Sequence, residues 1–161
     1  MIAVADASPL IGLAKASRLR LLHRLYGDIL IPPQVYADVV TLGKRRAGAV
    51  AVANAVESGW MKIVPVRSKR LVPPQFAGLG EGEAIALALE RKADVIILDD
   101  RAARNYCSRA GLRWISTGGI LLDAHQTGVV RKVRPILDRM QEKNFGIWNA
   151  DEILRATGEI V

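Results

Sequence analysis

Only one cysteine, Cys107, occurs in 161 residues. It cannot form an internal disulfide and cannot build a zinc cluster, so both kinds of staple are excluded. Aromatic residues make up 5% of the chain against 50% hydrophobic residues overall, so the core is built from Ala, Val, Leu and Ile, and global disorder is excluded. No apolar run approaches the ~20 residues of a membrane span. The opening MIAVADASPLIGLAKASR has no basic segment before its apolar stretch and is interrupted by Asp6 and Pro9. Neither export nor membrane insertion is expected, and a cytoplasmic location is. Two histidines, His23 and His125, lie in helical contexts, and no Ser-His-Asp or Cys-His signature accompanies them. Neither GxxxxGK[ST] nor GxGxxG occurs, so nucleotide cofactors are not suggested.

What the chain does have is positive charge: 23 Lys and Arg against 16 Asp and Glu leave +7, a balance that steers polyanions toward it but says nothing of the fold. Its clusters are Lys44-Arg45-Arg46, Arg67-Lys69-Arg70, Arg101-Arg104 and Arg131-Lys132-Arg134. Such runs are ordinarily solvated faces. Trp60, Trp114 and Trp148 are too scattered to define a stacking platform.

Two short apolar runs end in acids: Ile2 to Ala5 before Asp6, and Val95 to Leu98 before Asp99 and Asp100. Continuous runs of this length read as strands buried on both faces, as in a parallel sheet covered by helices. Weaker strands are expected at 28–31, 61–65 and 113–116. Ser8-Pro9 reads as a cap and first-turn proline opening a helix. Further helices are expected at 18–25, closed by Gly27, at 34–40 after Pro32-Pro33, and at 44–57, 80–91, 100–109, 120–126, 133–142 and 151–156. Residues 68–80, with Pro73-Pro74 and Gly78, read as a loop. Strands alternating with helices predict a three-layer α/β/α sandwich on a mostly parallel four- to five-stranded sheet. No linker or repeat divides the chain, so one domain over 1–161 is expected, with C-terminal helices from about 131.

In an open α/β sheet, ligands bind outside the carboxyl ends of the strands, where Asp6 and Asp100 stand. An acid after a buried strand is costly to keep charged unless it caps a helix, meets a cation or binds a metal. Asp6 has no local cationic partner, and helix capping and metal binding both stay open for it. Glu81 and Glu83 open a helix, where dipole compensation alone explains them. Asp38, in PPQVYADVV, reads as a helical acid.

Taken together, VADASPLIGLAK, ILIPPQVYADVV, GLGEGEAIALALERKADVIILDDRAAR and ISTGGILL resemble the PIN domain, in particular PIN-like proteins related to the toxins of type II toxin–antitoxin pairs. The resemblance implies a Mg²⁺- or Mn²⁺-dependent endoribonuclease in which Asp6, Asp38, Glu83 and Asp100 converge as metal-binding and catalytic acids. Asp99 and Glu81 are adjacent spares. Asp38 stands where many relatives have Glu, and Glu83 where the toxins often have Asp. Ser8, Arg101, Arg104 and Thr117 are candidate substrate contacts, Ser8 doubling as the helix cap. The resemblance implies RNA and a small antitoxin protein as partners, and the Leu-rich helix at 18–25 offers an apolar face for a homodimer mate. One rival reading is a catalytically silent PIN-like domain that binds RNA or protein. Another is a phosphohydrolase with an aspartyl nucleophile, disfavoured because Ser8 stands where its acid/base would be.

Overall fold

The structure, a computed structural model, describes residues 1–161. Five strands, β1 (Ala3–Ala5), β2 (Ile29–Ile31), β3 (Met61–Ile63), β4 (Val95–Ile97) and β5 (Trp114–Ile115), form one sheet in the order β3-β2-β1-β4-β5. All four pairings are parallel. β1 and β4 are buried along their whole length, as their uninterrupted apolar runs require of strands covered on both faces.

The helices are α1 (Ala7–Lys15), α2 (Arg20–Tyr26), α3 (Pro33–Tyr36), α4 (Ala47–Glu57), α5 (Gly80–Glu90), α6 (Arg101–Arg109), α7 (Thr117–Gln126), α8 (Arg134–Glu142) and α9 (Ala150–Ala156). The chain steps outward from β1 to β2 to β3, then returns past them to β4 and on to β5. Right-handed crossovers place the helices of the outward and return paths on opposite faces. Accordingly α1 packs on α4, α7 and α8, while α5 packs on β1, β4 and α6. A continuous cluster of 39 buried hydrophobic residues fills the space between. The result is the expected α/β sandwich, with its sheet wholly parallel.

Several local expectations shift. The helix after Pro32-Pro33 loses its α register after Tyr36 and continues as a π turn over Ala37–Thr41, which carries Asp38. Residues 44–46 are turn rather than helix, Lys44 being held at φ +51°. The 68–80 loop contains two short 3₁₀ turns, Lys69–Leu71 and Pro74–Phe76. The helix expected from 120 begins at Thr117, because the Ser116 hydroxyl accepts from the Gly119 amide and caps it. The first helix starts at Ala7, earlier than a Ser8 cap allows. Ser8 is not the cap; its Oγ donates instead to Asp99 Oδ2 at 3.0 Å.

Candidate functional site

A return of the chain across a parallel sheet opens a crevice at the carboxyl ends of the strands on either side of the reversal. Here the reversal lies between β1 and β4. Asp6 leaves β1, and its amide donates to the carbonyl of Ile97 on β4 at 2.9 Å, so the two strand ends are locked side by side. The N-termini of α1 and α6 open directly from these strands and present their positive dipole ends to the same edge.

The crevice encloses about 480 Å³ and is lined by Asp6, Ala7, Ser8, Ile11, Asp38, Glu81, Asp99, Asp100 and Phe145. Five of these are carboxylates, and no Lys or Arg lies among them. Neither of the two ion pairs in the molecule, Lys62–Asp28 and Lys69–Glu83, involves any of the five. The cleft thus collects negative charge without internal compensation.

Each acid is held differently. Asp6, 5% exposed, occupies the N-cap position of α1 with extended backbone but makes no capping hydrogen bond. Burial pushes its carboxyl up to about 7, with the Ala7 amide pulling the other way and Glu81, Asp99 and Asp38 adding repulsion. Asp99 is the most constrained: Oδ1 accepts from the Thr117 amide at 2.8 Å, and Oδ2 accepts from Thr117 Oγ1 at 2.7 Å and from Ser8 Oγ at 3.0 Å. Asp100 caps α6, its Oδ2 accepting from the Ala103 amide at 2.9 Å. Asp38 Oδ1 accepts from Gln34 Nε2 at 2.9 Å. Gly80 lets α5 approach: a Cβ there would lie 2.9 Å from Asp38 Oδ2 and 3.4 Å from Asp6 Oδ1.

Of the four acids expected from the sequence, Asp6, Asp38 and Asp100 therefore reach one cleft, and Glu83 does not. Two residues along a helix are about 200° apart. With Glu81 turned to the cleft, Glu83 faces the 68–80 loop, where its Oε1 lies 3.3 Å from Lys69 Nζ. Both adjacent spares, Glu81 and Asp99, line the cleft. Among the expected substrate contacts, Ser8 and Thr117 both hold Asp99, and Arg104 Nε donates to the Asp99 carbonyl at 3.0 Å. Arg101 is exposed at the first position of α6. Phe145 was missed. It arrives from the α8–α9 loop, and its ring fills the space over Gly12, where a Cβ would lie 2.4 Å from it. No periodicity or motif flags that loop.

An all-oxygen donor set suits hard divalent cations such as Mg²⁺ or Mn²⁺. No group of three or more His, Cys, Asp or Glu side chains is disposed to enclose an ion by itself. Mg²⁺ commonly retains waters and takes only one or two protein carboxylates plus substrate phosphate, so this open arrangement fits it. The larger hollow of the molecule, about 1210 Å³, shares no residue with the acidic cleft and has no carboxylate in its lining. No helix is long and apolar enough to cross a membrane. A family model described as a PIN domain matches residues 2–159. No curated protein matches the chain.

Proposed function

This chain belongs to the PIN domain family, and from that premise we propose that it is a Mg²⁺- or Mn²⁺-dependent endoribonuclease of the toxin type, acting at the cleft of Asp6, Asp38, Glu81, Asp99 and Asp100. One observation carries the reading. Asp6 is almost wholly buried, faces three other acids and has no cationic partner. A stable protein keeps such a group only at a cost, which a bound cation offsets.

A divalent ion held among Asp6, Asp38, Glu81, Asp99 and Asp100 would supply water activation and neutralisation of charge on the scissile phosphate. The chain's own residues prepare for this. Three hydrogen bonds fix the Asp99 carboxylate in one orientation, while the carboxylates of Asp6 and Glu81, which line the same cleft, make no side-chain hydrogen bond or ion pair that would compete with a cation. The N-termini of α1 and α6 favour a phosphate above the acids. Arg101, exposed at the start of α6, and Arg104 on the same helix would contact the RNA backbone.

The specific observation favouring a second reading, a catalytically silent RNA- or protein-binding domain, is that no three acids enclose a common point. Incubation of single-stranded RNA, and separately of a small phosphate ester, with Mg²⁺ or with EDTA separates these readings. The proposal expects RNA to be cut only with the ion and the ester to be left intact. RNA bound but uncut under all conditions supports the silent domain.

A toxin of this type needs a neutralising partner, and the basic, apolar lining of the larger hollow supports an acidic one. Its lining joins eleven hydrophobic residues to Arg18, Arg20, Arg24, Arg131 and Lys132, without an acid. The partner we propose is a small antitoxin that lays an acidic amphipathic segment there. Like charges on two copies oppose self-pairing through the same face.

A further inference from the structure

Three residues far apart in the sequence stack beside the acidic cleft. The Arg104 guanidinium carbon lies 5.0 Å from the ring centre of Trp114 and 4.5 Å from that of Trp148. The guanidinium thus lies over both indoles, a geometry in which it is attracted to both ring faces. Trp114 is anchored by its Nε1, which donates to Ser108 Oγ at 2.8 Å. Arg104 is anchored by its Nε on the Asp99 carbonyl at 3.0 Å, and it takes part in no ion pair. Its terminal N–H groups are therefore without a carboxylate. Trp148 is 60% exposed and is the only aromatic among the large exposed hydrophobic residues. With one face on the guanidinium and most of the residue in solvent, the outer face of its ring is open.

We propose that the Trp114–Arg104–Trp148 stack is a binding subsite for one unpaired nucleotide of single-stranded RNA, its base stacking on Trp148 and its phosphate meeting Arg104. The inference rests on the ribonuclease reading and narrows its substrate to unpaired RNA, because a base inside a duplex cannot offer its face to a side chain. Its place follows from the hydrogen bond of Arg104 to the backbone carbonyl of Asp99, which ties the stack to one of the cleft acids. An open aromatic face continuing a cation–π stack, with free N–H donors beside it, matches what single-strand binders use: sequence-tolerant stacking joined to backbone contact. The same Trp would also suit a protein partner, but the unpaired guanidinium next to the acidic cleft favours a phosphodiester.

The test is fluorescence anisotropy in EDTA with a labelled eight-nucleotide RNA, the same RNA carrying a single abasic position moved along it, and a blunt duplex. Trp148 is exposed, so Trp148→Ala should fold normally, and Trp148→Phe retains a stacking face. Trp148→Ala is expected to bind the single strand about five- to a hundred-and-fiftyfold more weakly, the worth of one stacked base, and the duplex unchanged. Trp148→Phe should recover most of the loss. One abasic position should weaken the unsubstituted protein and leave Trp148→Ala indifferent. In cleavage, KM should rise and kcat should stay within about twofold. Equal binding by Trp148→Ala and the unsubstituted protein, with RNA cleavage intact, overturns the subsite alone and leaves Trp148 to a protein partner. Equal weakening on single strand and duplex also overturns it. Failure of the unsubstituted protein to bind or cut any RNA removes the subsite together with the ribonuclease reading.

Discussion

Asp6 lies directly after a fully buried strand and is pushed up to about 7 from 3.8. In the absence of a divalent ion the folded chain holds a proton there that the unfolded chain releases near pH 4. The stability this group contributes is therefore complete below about pH 4 and is lost as pH rises to about 7. Asp6→Asn removes the burden, so in EDTA above pH 7 it should raise stability, by at most on the order of 4 kcal/mol; denaturant titration at pH 5 and pH 8 checks this, and a variant less stable at pH 8 would refute it. Cation binding requires the ionised carboxylate, so Mn²⁺ affinity should fall as pH drops below about 7. The glutamates divide at the same scale. Glu81→Gln should weaken Mn²⁺ binding in calorimetry by about tenfold or more, whereas Glu83→Gln, which only releases an exposed Lys69, should leave it unchanged. The sequence could not make that choice. From Ala84 to Ala88 every residue of α5 is buried, so the helix has no polar face to fix its phase, and two acids two positions apart look equivalent.

The elements themselves were legible in proportion to how fully they are buried. β1 and β4 could be read because central strands demand uninterrupted apolar runs, and the acids after them marked the carboxyl edge. β3 and β5, at the sheet margins, are partly exposed, with Lys62 and Ile63 in solvent and both residues of β5 half-buried, so they need no uninterrupted apolar run and, like β2 with its half-buried Leu30, read only as weak candidates. The π turn holding Asp38 and the α8–α9 loop carrying Phe145 and Trp148 left no periodic signal, because tertiary packing rather than local preference positions them. That loop depends on Gly12. Gly12→Ala sets a methyl group against the Phe145 ring and should cost about 1–3 kcal/mol by overpacking; adding Phe145→Ala should return part of it, and urea titration of the single and double variants measures both. Equal costs in the two backgrounds would mean that the ring is not what Gly12 accommodates.

At the scale of the molecule, charge is partitioned: five acids gather at one cleft while the net balance is +7. On the ribonuclease reading, cations elsewhere draw the polyanion in, and a metal ion offsets the repulsion between the acids and the one phosphate that enters the cleft. RNA affinity should accordingly fall steeply with added salt. Charge reversal in the basic groove, Arg20→Glu with Arg131→Glu, should abolish capture of an acidic partner segment and leave RNA cleavage intact; unchanged capture would remove the groove from the interface. The cleft is the centre of the account, and the measurement that addresses it most directly is the initial rate of single-stranded RNA cleavage in Mg²⁺ for the unsubstituted chain and for Asp6→Asn. The account predicts cleavage that EDTA stops and a fall of at least a hundredfold in the variant, since nucleophile activation and phosphate neutralisation are lost together. Equal rates in the two proteins, or cleavage that persists in EDTA, would contradict it.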